Sequence, residues 1–192
     1  MPRIDATTVA EHHQRRRRAL LDAGMALLAQ TGVDGVTPAA VGAAAGLARS
    51  SVYQYFDSSA ALLAALVEDA FPRSIARLRR ALEGAATPQE RIETYLSASL
   101  SLAADASYTA LHTLARADVP APCRDRLAEL HGQLYAPLVE AVRELVPIDP
   151  ELVTRLLLGL LGAAVQEVRA GAPAAVVESR MLDLVRSGLK GA

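Results

Sequence analysis

Apolar residues recur along this chain at spacings of three and four, the period of a helix with one buried face. The run Leu20-Leu21-Asp22-Ala23-Gly24-Met25-Ala26-Leu27-Leu28 shows such a face. So do Leu62, Leu63, Leu66, Val67, Ala70 and Phe71, and again Leu127, Leu130, Leu134, Leu138 and Val142. No stretch alternates apolar and polar residues with β-branched enrichment, so no strand is expected. The pattern predicts an all-α fold of about nine helices.

Capping signals place the helix ends. Thr8-Val9-Ala10-Glu11 reads as a capping box opening a first helix, which runs to about Gln30 with Gly32 beyond its end. Thr37-Pro38 predicts an N-cap followed by proline at the first helical position, opening a short helix that stops at Gly46. A third short helix is expected from Ala48 or Arg49 to about Tyr55, and a fourth from Ser58, which Pro72 should kink or end. Thr87-Pro88-Gln89-Glu90 is a second capping box. Pro120 and Pro122 are expected to separate a helix ending near Asp118 from one beginning near Cys123. Asp149-Pro150 and Pro173 open the last two, to about Ala170 and Leu189.

Composition narrows the class. The 192 residues are 52% hydrophobic, enough for a packed core, but only 4% aromatic with no Trp, so Leu, Ala and Val must build it. A single Cys leaves no disulfide framework or cysteine metal cluster, and adjacent His12-His13 lack zinc-ligand spacing. No cofactor is expected. The longest apolar run, Leu156 to Val165, is too short to span a bilayer, and no apolar segment follows the N-terminal arginines. A cytoplasmic protein with no membrane partner is the expectation.

The second and third helices carry the chemistry. Two short helices joined by Ala45-Gly46-Leu47-Ala48 form a helix-turn-helix pattern, whose second helix enters the DNA major groove. Gly46 suits the positive φ of the turn. Ala43, Ala44 and Ala45 are small enough for close helix approach. From Ala48 onward the residues suit DNA. Arg49 can pair with guanine or phosphate, Ser50 and Ser51 offer hydroxyls, and Tyr53, Gln54 and Tyr55 carry polar tips. Val52 and Phe56, at i and i+4, are expected to face the core. The Thr37 hydroxyl and the amides after it would accept a phosphate.

Taken together, Ala26-Leu27-Leu28-Ala29-Gln30-Thr31-Gly32, the run from Thr37 to Phe56, and Ala61-Leu62-Leu63 resemble the N-terminal domain of the TetR family of transcriptional regulators. The likeness covers roughly residues 14–66. It rests on a Gly ending helix one, a Thr opening helix two, an Ala-Gly turn, and Tyr53-x-x-Phe56 ending helix three. It implies a DNA-binding domain over residues 1–57 and an effector-binding and dimerisation domain over 58–192. It implies a repressor released from double-stranded operator DNA by a small ligand. Two departures stand out. Ser59 occupies the place where the family commonly has a phosphate-gripping Lys. Gly42 replaces a usual Ala, which predicts a looser second helix.

Charge fits a DNA partner locally. The net charge is −1, which excludes a uniformly basic coat, yet residues 1–60 hold six arginines against five acids. Four of these are consecutive, Arg15, Arg16, Arg17 and Arg18, suited to phosphates or, alternatively, to a solvated helix face. Downstream, Leu156, Leu157, Leu160, Leu161, Ala164 and Val165 cover so much of one helix that a lone monomer could hardly bury them. With Val177, Met181 and Leu184 on the last helix, they predict a homodimer seam. Tyr95, Tyr108, His112 and Tyr135 are sparse polar groups on aliphatic helices. They are candidates for a largely apolar small-molecule effector pocket, or else ordinary core and surface residues, as are His131 and Cys123. No nucleophile elbow, phosphate loop, H-E-x-x-H or dinucleotide fingerprint is present, so no enzyme is expected. A helix-turn-helix turned to protein binding or DNA organisation stays open.

Overall fold

The computed structural model describes residues 6–103 and 121–189. Among them are eight α-helices, one 3-10 turn and no strand. The helices are α1 (Ala6–Thr31), α2 (Pro38–Ala44), α3 (Arg49–Val52), α4 (Ser59–Leu82), α5 (Pro88–Leu102), α6 (Ala121–Leu145), α7 (Pro150–Arg169) and α8 (Ala174–Gly188). The 3-10 turn is Val33–Gly35. The helix expected to end near Asp118 lies outside the described residues.

Two compact units divide inside α4, at Phe71 and Pro72, and inside α6, at Leu127 and Ala128. The first unit buries Leu20, Leu21, Met25 and Leu28 of α1 together with the expected stripe of α4: Leu62, Leu63, Leu66, Val67, Ala70 and Phe71. Gly24 lets the two helices close, since a Cβ there would lie 3.0 Å from Leu66 Cδ2. Val36, Val41, Val52 and Phe56 complete this core.

The second unit packs α5 with α7 and α8. Its interior holds Ile92, Tyr95, Leu96, Leu130, Leu134, Leu138, Val142, Leu157, Leu161, Val165, Met181 and Val185. Guanidinium–carboxylate pairs tie its helices at the surface. Arg91 on α5 binds Glu144 on α6, and Arg186 on α8 donates to Glu93 Oε2 on α5 at 2.7 and 3.0 Å.

Several helix ends differ from the sequence reading, each for a local reason. α1 begins at Ala6, so Thr8 lies within the helix and is not its N-cap. α6 begins at Ala121, slightly ahead of the expected start near Cys123, so Pro122 sits in its first turn, where its missing N–H removes no intrahelical bond. Pro72 does not end α4, which runs unbroken to Leu82. α3 closes at Val52, three residues early, and turns carry the chain to Phe56. Thr87 forms its capping box: Thr87 Oγ1 accepts from Glu90 N, while Glu90 Oε2 accepts from Ala86 N and Thr87 N. Those amides hold the Glu90 carboxyl below its usual range. Asp149 precedes α7 in the left-handed region, φ 50°, without a side-chain cap.

Candidate nucleic-acid interface

Helices α2 and α3 meet through one glycine. Gly46 turns the chain at φ 68°, and Leu47 N donates to Gly42 O at 2.8 Å. A Cβ on Gly42 would lie 2.8 Å from Val52 Cγ2 and 2.9 Å from Leu47 O. The expected propensity cost of Gly42 has a packing reason: the missing side chain is what allows α3 to seat closely. The alanines do not play that part, since Ala43 and Ala44 are exposed and Ala45 is only half-buried.

Thr37 caps α2, its Oγ1 accepting from Ala40 N at 3.1 Å. Pro38 has no N–H and that of Ala40 is committed to Thr37. A phosphate at this helix start would meet the Thr37 hydroxyl and Ala39 N rather than a full set of amides.

Val52 and Phe56 are buried, as their spacing predicts, and they turn the polar residues outward. Ala48, Arg49, Ser50, Tyr53 and Gln54 are exposed, while Ser51 and Tyr55 are half-buried. Arg49 Nη2 donates to Tyr53 Oη at 3.2 Å, with the guanidinium carbon 5.7 Å from the ring centroid. That bond raises the guanidinium's already high pKa. The pairing follows from the i, i+4 spacing but was not read from sequence. Next along the chain, Ser58 Oγ accepts from Ala61 N at 3.1 Å and caps α4, leaving Ser59 exposed in its first turn.

The four arginines do not act as one cluster. Arg15 and Arg16 are exposed, and Arg15 lies 3.9 Å from Glu11. The guanidinium of Arg17 sits 5.8 Å from the Phe56 ring centroid. Arg18 turns to carboxylates, donating from Nη1 to both oxygens of Asp69 at 3.0 Å and from Nε to Asp22 at 3.0 Å. An open groove on α1 is lined by Glu11, Gln14, Arg15 and Arg18. On α4, next to Asp69, Glu68 accepts from Arg126 Nη2 at 3.0 Å, and that pairing lowers the Glu68 carboxyl's pKa.

The residues expected to line an effector pocket do not share one environment. Tyr95 is a core residue, 1% exposed, with its hydroxyl donating to Leu134 O at 3.3 Å. Tyr135 is half-buried, its ring centroid 5.6 Å from that of His131, and burial pushes its phenol up. Tyr108 and His112 lie outside the described residues, as does the Cys123 side chain. Among the described residues no group of three or more His, Cys, Asp or Glu could hold a metal ion, and no helix is long and apolar enough to cross a membrane.

The expected dimer seam divides by face. Leu157, Leu161, Ala164 and Met181 are buried within the protomer's own core, so they present little surface to a second copy. Leu156 and Leu184 are 63% and 62% exposed, with Leu152 and Val176 also outside. Leu160 and Val177 are half-buried beside them.

An all-helical fold with an outward-facing second helix after a glycine turn defines a helix-turn-helix protein. Residues 20–66 match the family model of bacterial regulatory proteins, tetR family. Over those residues the chain is similar to the helix-turn-helix domain of that family. The whole chain shares its fold with solved structures of low identity. A TetR-like transcriptional regulator from Rhodococcus sp. RHA1 is 20% identical at TM-score 0.77, covering 92% of this chain and 97% of that one. The fatty acid degradation regulator FadR of Bacillus halodurans is 19% identical at TM-score 0.73, covering 91% and 98%. FadR of Bacillus subtilis, solved in complex with stearoyl-CoA, is 20% identical at TM-score 0.74, covering 89% and 98%. No curated protein matches the chain at a significant level.

Proposed function

We propose that this protein is a one-component transcriptional repressor. Two copies of the chain bind double-stranded operator DNA, and a small, largely apolar ligand in the region 58–192 releases them. The observation that carries the reading is the outward row of Arg49, Ser50, Tyr53 and Gln54, seated by Gly42 and Val52 within the segment the family model matches. The exposed leucines of α7 and α8 support a homodimer, and two copies match the two half-sites such regulators read. The stearoyl-CoA complex of a protein of the same fold makes a fatty-acyl thioester the first ligand to try.

The test is selection from a random duplex library, followed by titration of the selected DNA with and without stearoyl-CoA. Enrichment of one palindromic sequence, bound with strong salt dependence, is expected. Release by the thioester would identify the ligand class, and by linkage DNA would weaken its binding equally. Failure to enrich any sequence overturns the operator reading.

A further inference from the structure

The face of α1 that is buried from Leu20 to Leu28 continues toward the N-terminus with exposed side chains. Continued toward the N-terminus at helical spacing, Leu28, Gly24, Leu21 and Leu20 are followed by Arg17 and His13. These two side chains cover the turn that follows α3. Arg17 lies over Phe56, and the His13 ring stacks on Tyr55 with centroids 4.4 Å apart and planes 33° from parallel.

That turn has few restraints of its own. α3 is four residues long, and Ala48 at its N-cap supplies no side-chain bond. From Gln54 to Phe56 the backbone is held by donations to Ser51 O at 3.2 Å and to Val52 O at 2.9 and 3.0 Å. Burial fixes Phe56, whose ring centroid lies 6.5 Å from that of Tyr55, while Tyr55 itself is only half-buried. His13 covers it. A ring restricted before binding loses less entropy when it meets its partner.

We propose that His13 is a positioning residue of the DNA-binding surface: its imidazole, stacked on Tyr55, fixes the Tyr55 phenol as a phosphate-contacting group. The inference rests on the reading of this head as a DNA-binding surface. It assigns to α1 a second part in DNA binding, separate from the charge of its arginines.

The experiment measures binding of the full chain to a short labelled random-sequence duplex across salt concentrations, because a phosphate contact is independent of sequence. His13→Ala should bind about three- to tenfold more weakly. His13→Phe, which keeps a stacking ring without the imidazole nitrogens, should restore wild-type affinity. In a Tyr55→Ala background, His13→Ala should cause no further loss. Melting temperatures confirm that each variant is folded. Wild-type affinity in His13→Ala overturns the proposal. So does an equal loss in the Tyr55→Ala background, or a His13→Phe variant as weak as His13→Ala. If the wild type itself shows no salt-dependent binding, the DNA-binding reading falls and this inference with it, whereas failure of the variants alone removes only the role of His13.

Discussion

Arg18 on α1 and Asp69 on α4 are joined through both carboxylate oxygens at 3.0 Å, across 51 residues of sequence. The fourth arginine of a basic run is thereby committed to the fold. Arg16 is exposed on the same helix and takes no part in that pairing. Arg16→Ala should make the slope of log affinity against log salt shallower by about 0.9, the value of one lost phosphate contact. Arg18→Ala should leave that slope unchanged and lower the melting temperature, since it removes the bonds from Arg18 to Asp22 and Asp69. DNA titrations at several salt concentrations, with a thermal melt of each variant, separate the two outcomes.

Arg49 is held on Tyr53 before any base is present. On the operator, Arg49→Ala should cost about 1–3 kcal/mol and relax preference at one base pair. Tyr53→Phe keeps the ring under the guanidinium and loses only the 3.2 Å bond, so its loss should be smaller. Competition with single-base operator variants measures both.

Gly42→Ala sets two effects against each other. The substitution gains about 1 kcal/mol of helix propensity. It also drives a methyl against Val52 Cγ2 and the backbone oxygen of Leu47, and overpacking costs about 1–3 kcal/mol. Because a backbone atom cannot move aside cheaply, the clash should win. A lower urea midpoint and weaker DNA binding are expected together.

Leu156 and Leu184 are exposed in the protomer, so a charge there costs nothing until a second copy covers it. Leu156→Glu and Leu184→Glu should sediment as folded monomers at concentrations where the proposed wild-type dimer forms, with unchanged helical circular dichroism. Leu157→Glu, aimed into the protomer's core, should instead fail to fold.

Acid should weaken the protein through Glu68. Arg126 holds the Glu68 carboxyl below its ordinary range, so the folded chain binds fewer protons there than the unfolded chain. The stabilisation is complete above the ordinary glutamate value of about 4.3 and is lost as pH falls through the lowered one. Glu68→Gln should remove this part of the acid dependence, at most about 1 kcal/mol for so exposed a pair. Urea midpoints across acidic pH provide the measurement.

Local chemistry was the legible part of the sequence. Thr37, Gly46 and Thr87 each act within four residues of themselves, and each does what its position announces. The buried stripes of α1 and α4 follow from period alone. What sequence could not supply was the identity of distant neighbours. Nothing near Gly42 reveals that Val52 will press on it, and nothing near Arg18 points to Asp69. Tyr95 drew notice as a polar group among aliphatics, but the carbonyl of Leu134 that satisfies it is 39 residues away. A run of leucines likewise gives no hint of which members face inward: Leu156 is exposed and its neighbour Leu157 is buried.

A helix of four residues has scarcely begun to propagate when it ends. Starting a helix is unfavourable, and only added turns offset that cost. α3 therefore takes its shape from Val52 and Phe56 rather than from its own backbone. Its amide protons should exchange with deuterated solvent far sooner than those of α1 between Leu20 and Leu28, because a small local opening is enough to release them. Bound DNA would oppose that opening, so occupancy of the operator should register as slowed exchange at Val52 and the turn behind it.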